Sequence, residues 1–299
     1  MAKNFDDLMN LAKKRTPKRV AVAQAGDEDV LLSVKMAMDQ EIIDPILVGD
    51  RAEIETIAKS IGLDLEKVKI IDEKDKILAT RLATELVSKG EASVLMKGLI
   101  DTSIIMKQVL DKDIGLRTDK LISHVAIFHI ATYHKIFALT DAAMNIAPSL
   151  DEKKQIIDNA VELLKCLDIE KPKVAVLAAK EKVSPKMEAT VDAAKLKEMN
   201  QNGEIKDCIV DGPLALDNAV SKESARIKGI ESEVAGEADI LIAPNIEAGN
   251  VLYKSLSFLG GASSAGIIVG TKAPIILTSR ADDEETKLNS IVLATLMVD

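Results

Sequence analysis

The sequence predicts an α/β protein made of two α/β units with a cleft between them. Three observations carry that reading. Short apolar runs of strand length alternate with longer segments whose apolar residues recur at helical spacing. The alternation restarts near Asp151. The chain has 299 residues, 47% of them hydrophobic, which is enough for one large core or two ordinary ones.

Taken in order, residues 5–15 read as an amphipathic helix and 19–25 (RVAVAQA) as a strand. Residues 27–40 carry apolar groups at helical spacing behind Asp27, whose carboxylate suits an N-cap. A strand at 46–48 precedes a helix at 51–61; a short strand at 68–71 precedes a long helix at 76–89. The strand at 93–96 ends in Lys97 and Gly98, and 104–110 is helical. Residues 123–128 and 136–139 read as adjacent strands, antiparallel additions to the repeated β–α units. After the restart come a helix at 152–166, a strand at 173–177, a helix at 187–200, a strand at 208–212 and a short helix at 215–221. Apolar runs at 240–243, 266–269 and 274–277 read as buried parallel strands, with helices at 249–259 and 285–297. The last elements return to the first unit. One domain then holds 1–140 plus 278–299 and the other 141–277.

The net charge of −9 and pI near 5.1 argue against nonspecific nucleic-acid binding, which needs a basic surface to displace counterions. Aromatic residues make up 2%, without a Trp, so a base-stacking platform is not expected either. An anionic ligand has to be met by a local basic focus. The two cysteines, Cys166 and Cys208, read as small hydrophobes in a reducing compartment. The N-terminal residues are mixed in charge, without the apolar core of a signal peptide, and no apolar run is long enough to span a membrane. A cytoplasmic protein with no membrane partner is expected.

There is no GxGxxG after a strand, no P-loop and no GxSxG elbow. His124, His129 and His134 stand five residues apart, whereas a helical metal pair wants three or four, and no metal site is expected. Candidate residues cluster instead beyond strand ends, where α/β proteins place ligands. Lys97 next to Gly98 can face a cleft and hold an anion; the other reading is a solvated turn lysine. Asn145 in LTDAAMN can donate its amide to phosphate, or Asp141 and Asn145 can serve an Asx turn. PNIEAGN sets Asn245, Gly249 and Asn250 before a helix, where backbone N–H groups favour an anion. In TSR, Arg280 offers a bidentate fork to phosphate and Ser279 a hydroxyl to a developing oxyanion. The acidic run from Asp282 opens the final helix, where it relieves the dipole; a Mg2+ site from Asp282 and Asp283 is the weaker alternative.

In chain order, VAVAQAGDEDVL, ILVGD, MKGLIDT, GLRTDKLISHVAIF, LTDAAMN, EVAGEADILIAPNIEAGNVLYKSL and APIILTSRADDEETKLNSI resemble the phosphate acetyl/butyryl transferase family over essentially the whole chain. The likeness leans toward the butyryl-transferring members. It implies two three-layer α/β/α domains with an interdomain cleft, usually in a homodimer. It also implies acyl transfer between coenzyme A and inorganic phosphate, with no cofactor, since coenzyme A is a substrate. The partners are then acyl-CoA, phosphate and acyl phosphate. Ser279 and Arg280 match the family's active-site Ser–Arg pair. Lys107 stands where relatives often have a phosphate-contacting arginine. Related acetyl enzymes carry an aspartate seven residues after the serine, proposed as the base for coenzyme A; here that position is Thr286. The alternatives are phosphate acetyltransferase chemistry, a metal-dependent decarboxylating dehydrogenase of related fold, and a noncatalytic phosphate- or CoA-binding module.

Overall fold

The computed structural model describes residues 2–279 and 282–298. In chain order the first segment contains α1 (Phe5–Ala12), β1 (Lys18–Ala23), α2 (Glu28–Asp39), β2 (Ile43–Gly49), α3 (Arg51–Ile61), β3 (Lys69–Asp72), α4 (Lys76–Ser88), β4 (Val94–Lys97) and α5 (Thr102–Val109). Asp27, Asp50 and Asp75 cap α2, α3 and α4 by accepting backbone N–H groups of the first turns. The middle segment contains β5 (Ser123–His129), β6 (Phe137–Thr140), α6 (Leu150–Cys166), β7 (Lys173–Leu177), α7 (Glu188–Gln201), β8 (Ile209–Leu214), α8 (Leu216–Val220), α9 (Lys222–Ile227), β9 (Ile240–Ile242) and α10 (Ile246–Lys254), which runs into a π-helical turn, Ser255–Leu259. β10 (Ser263–Val269), β11 (Ile275–Ile276) and α11 (Glu284–Leu296) close the chain.

The chain divides into two compact units: Phe5–Lys120 with Ala265–Asp299, and Met1–Asn4 with Leu121–Ser264. We call them the terminal and middle units. The terminal unit orders its strands β3-β2-β1-β4-β11-β10. All pairs in it are parallel except β10–β11. Ala23 pairs with Lys97, and Ile276 with Met96, so the carboxyl ends of β1, β4 and β11 lie side by side. From β1 the chain turns to β2 on one side, while β4 lies on the other. That reversal is the kind of place where open α/β sheets hold ligands. Helices α2 and α11 pack together, α1 packs on α11, and α4 packs with α5 and on β1.

The middle unit orders its strands β5-β6-β9-β7-β8, parallel except for β5–β6. Thr140 pairs with Ile242, which brings Asp141 and the residues before α10 to one edge. Its core joins Phe128, Phe137, Leu139, Leu177, Leu214 and Leu241.

Four expectations change. The domain boundary expected after residue 140 falls after Lys120, and the one expected at 278 falls at Ala265. The reason is that β6 pairs with β9, which takes β5 and β6 into the middle unit. The run at 266–269 is not a parallel strand: β10 pairs antiparallel with β11. The link between them, Gly270 to Pro274, is far too short for a parallel crossover. Residues 246–248, left outside the expected helix, begin α10 because Asn245 caps it. Helix α9 was not anticipated.

Candidate functional site

The carboxyl ends of β4 and β11, the start of α2 and the first turn of α11 enclose one small pocket. Asp27, Val30, Lys97, Gly98, Leu99, Thr278, Ser279 and Lys287 line it. Lys97 is the last residue of β4 and only 5% exposed. Its Nζ lies 3.4 Å from the carbonyl oxygens of Gly98 and of Thr278, and donates to both. Gly98 is required by close approach: a Cβ there would lie 2.0 Å from the carbonyl oxygen of Gln24. The turn after β4 therefore folds directly onto the end of β1, and Leu99 N donates to that same Gln24 oxygen at 2.9 Å. The solvated-turn reading of Lys97 does not describe this buried position.

Ser279 sits just beyond β11 and is exposed. Its backbone N–H donates to Asp282 Oδ2 at 2.7 Å, and Asp282 N donates back to the Ser279 carbonyl at 3.3 Å. Asp283 caps α11 by accepting from Thr286 N at 2.8 Å, and Glu284 and Glu285 occupy the first turn. The acidic run thus organises the loop and the helix start, and a carboxylate oxygen of Asp282 and one of Asp283 each hold a backbone N–H. Arg280 lies outside the described residues. Thr286 gives its N–H to that cap and its carbonyl to Ser290 Oγ at 2.8 Å. Lys107 is exposed on α5 and does not line the pocket.

Lys287 was not among the expected site residues. It is 4% exposed, and its Nζ donates to the Asp282 carbonyl. Asp29 Oδ2 is 3.8 Å away. The structure shows why it matters: from Lys287 through Leu296 every residue of α11 is buried, so a lysine opens a wholly buried stretch. Two lysines therefore line a pocket that, among the described residues, holds one carboxylate, Asp27, and one Asp27 oxygen accepts from Val30 N at 3.1 Å. Such a pocket is suited to an oxyanion.

The middle-unit candidates come together differently. Asp141 is buried and accepts four N–H groups: His124 N, Ala143 N, Met144 N and Asn145 Nδ2, at 3.2, 2.8, 2.9 and 2.7 Å. The Asx-turn reading describes it. Asn145 Nδ2 also donates to the Ile122 carbonyl at 3.0 Å, so both amide protons are used inside the protein. Asn245 caps α10 by accepting from Ala248 N at 3.0 Å. Asn250 Nδ2 donates to the Ala142 carbonyl at 3.2 Å. A Cβ on Gly249 would lie 2.4 Å from the Asp141 carbonyl oxygen. These residues clasp the loop after β6 to α10, where a phosphate-facing role was expected for them. Among the other strand-end acids, Asp211 pairs with Lys197 at 2.7 Å and Asp217 with Lys228 at 3.1 Å.

His124 is buried, and burial pushes its pKa down against the opposing pull of Asp141. His134 is exposed and lies 3.3 Å from Glu237 Oε2. Burial pushes the Cys208 thiol up to about 12, as befits a packed, unreactive sulfur. Among the described residues, no cluster of three His, Cys, Asp or Glu side chains could hold a metal ion.

Fold and pocket together describe an α/β protein with a pocket lined by two buried lysines at a strand-order reversal. The profile of one family, phosphate acetyl/butaryl transferase, matches residues 4–80 and 75–295. The chain belongs to that family. It is 50% identical to the phosphate butyryltransferase of Clostridium beijerinckii over 99% of this chain and 98% of that one. It is 47% identical to the phosphate acetyltransferase of Thermotoga maritima over 98% of this chain and 99% of the relative. The crystal structure of a branched-chain phosphotransacylase from Enterococcus faecalis V583 superposes with a TM-score of 0.82 at 34% identity, covering 94% of this chain and 98% of that one.

Proposed function

We propose that this protein transfers a short-chain acyl group, butyryl foremost, between coenzyme A and inorganic phosphate: acyl-CoA + phosphate = acyl phosphate + CoA. The reaction runs by direct attack in a ternary complex. A phosphate oxygen attacks the thioester carbonyl, the tetrahedral intermediate collapses, and the C–S bond breaks to release coenzyme A thiolate. In reverse, the thiolate attacks the acyl phosphate and phosphate leaves. The observation that carries this reading is the pocket in which the Ser279 end of β11 meets buried Lys97. It belongs to a chain half identical, over nearly its full length, to a phosphate butyryltransferase.

Each residue then has a task. Lys97 supplies fixed positive charge to the phosphate. The Ser279 hydroxyl donates to the oxyanion of the tetrahedral intermediate, an interaction strongest when that charge develops. Arg280 adds the bidentate grip on the phosphoryl group that its position after Ser279 suggests. A strong base for the thiol is not required. A thiol of pKa ~8.5 is roughly 3% ionised at pH 7, so full deprotonation recovers only about 2 kcal/mol. Thr286 in place of a base is compatible with that figure. The enzyme works as a homodimer in the cytoplasm, without a cofactor.

The test is phosphate-dependent thiol release from a panel of acetyl-, butyryl- and branched acyl-CoA esters, in chelator-treated buffer. Two additional methylenes in an apolar acyl site contribute about 1.6 kcal/mol, so butyryl-CoA should exceed acetyl-CoA by roughly 15-fold in kcat/KM. An acetyl preference would favour the second reading, for which the 47% identity to a phosphate acetyltransferase speaks. Ping-pong kinetics with a stable acyl-enzyme would rule out direct transfer.

A further inference from the structure

We infer that Lys287 is a direct ligand of the phosphate oxyanion, and that with Lys97 it forms a two-lysine seat beside Ser279. The inference rests on the acyl-transfer reading and deepens it, by assigning the phosphate subsite to a residue on α11.

Four features argue for it. First, Lys97 and Lys287 are 5% and 4% exposed and line the same pocket. An ammonium group is rarely buried as deeply as that of Lys287 without compensating charge. Second, the charge on Lys287 is weakly met from within the protein. Its hydrogen bond among the described residues goes to a carbonyl, that of Asp282. The nearest carboxylate, Asp29, is 3.8 Å away and about half exposed, and a partner so placed neutralises little. Third, an ammonium has three N–H donors, so a group anchored by one carbonyl has donors left for an oxyanion. Fourth, Lys287 is tied to the serine loop. It holds the Asp282 carbonyl, and the Asp282 carboxylate holds Ser279 N. A phosphate seated on Lys287 is thereby kept in register with the hydroxyl that serves the oxyanion.

The ligand chemistry is a compact tetrahedral dianion, either inorganic phosphate or the phosphoryl end of an acyl phosphate. The phosphate groups of coenzyme A are the competing source, and the test separates the two. Inorganic phosphate is titrated into the full-length protein by calorimetry without coenzyme A, and KM is measured separately for phosphate and for butyryl-CoA. K287M should raise the phosphate Kd and KM at least ~10-fold, the loss expected for a charged hydrogen bond, and leave the butyryl-CoA KM within about 2-fold. K287R should restore most of the phosphate affinity. A rise in the butyryl-CoA KM alone would assign the lysine to coenzyme A and overturn the inference. Unchanged phosphate binding, with or without a lower unfolding midpoint, would reduce Lys287 to a structural role. Should K287M fail to fold, wild-type protein carrying 13Cε-lysine, assigned with K287R, answers the same question. Phosphate should shift the Lys97 and Lys287 signals and spare exposed Lys107; a still Lys287 signal overturns the inference. Wild-type protein that neither binds phosphate nor transfers acyl groups would instead sink the acyl-transfer reading itself.

Discussion

The two units carry strand-end motifs that look alike in sequence and behave differently in the fold. In the terminal unit, Lys97, Ser279 and Lys287 line one pocket. In the middle unit, Asn145, Asn245 and Asn250 direct hydrogen bonds at neighbouring backbone or at Asp141. The difference teaches that a polar residue beyond a strand is not thereby a ligand. What decides is whether the fold places an acceptor within its reach. Lys287 in the terminal unit donates to a carbonyl and has a carboxylate only at 3.8 Å, which leaves much of its positive charge in place. In the middle unit, a carbonyl and a carboxylate take both amide protons of Asn145, the Ala142 carbonyl takes one from Asn250, and Asn245 accepts a backbone N–H.

The comparison breaks most sharply at Ser279. S279A should lower kcat by about 100- to 1,000-fold, as loss of one oxyanion donor does, while phosphate affinity measured by calorimetry stays within a few-fold. The unfolding midpoint should barely move, because the residue is exposed. Near-normal turnover would remove the hydroxyl from the mechanism and erase the functional contrast between the units.

Gly249 offers the opposite extreme. A methyl there meets the Asp141 carbonyl oxygen at 2.4 Å, the Ala142 Cα at 3.0 Å and the Ala243 Cβ at 3.2 Å, and the first two of these are backbone. G249A should cost about 3 kcal/mol in denaturant unfolding, the upper part of the usual overpacking range. If G249A is stable but loses activity, the glycine serves a ligand and the clasp reading is wrong.

N145A sharpens the contrast at a single side chain. It removes a bond to the Asp141 carboxylate and one to the Ile122 carbonyl. A loss of about 2 kcal/mol in stability is expected, with the phosphate KM unchanged. A raised phosphate KM at normal stability would return Asn145 to the ligand-binding set.

The α/β class was legible because it rests on local pattern: Val- and Ile-rich runs between capped helices, with Asp27 capping α2 where the sequence placed it. Ser279 and Lys97 were legible because chemistry-bearing residues stand directly after apolar runs, and they do line one pocket. What escaped depends on distant partners. Asn250 finds its acceptor 108 residues away, and β6 finds β9 about a hundred residues on, which is why the domain boundaries shifted. Lys287 was hidden by its own helix. A lysine at the start of an acidic helix reads as a solvated charge until packing shows that its whole side is buried.

The smallest effect tests the middle unit through pH. His124 is buried, and burial is the dominant cause of its lowered pKa, with the neighbouring Asp141 pulling the other way. Below the ordinary histidine value of 6.5, the unfolded chain therefore takes up a proton that the folded chain refuses. The neutral ring contributes its full stability above that value. The contribution is lost as pH falls through 6.5 toward the lower folded-state value, with a slope of at most about 1.4 kcal/mol per pH unit for one proton. Urea unfolding of wild-type protein and H124Q at pH 7.5, 6.5 and 5.5 isolates this term as the difference between two slopes. The wild-type midpoint should fall more steeply on acidification, and the thermodynamic gap between the two proteins should narrow. Parallel slopes would mean that the ring already titrates normally in the folded state. The polar cluster around Asp141 would then be open to solvent, and the clasp drawn between the loop after β6 and α10 would have to be a looser, ligand-accessible surface after all.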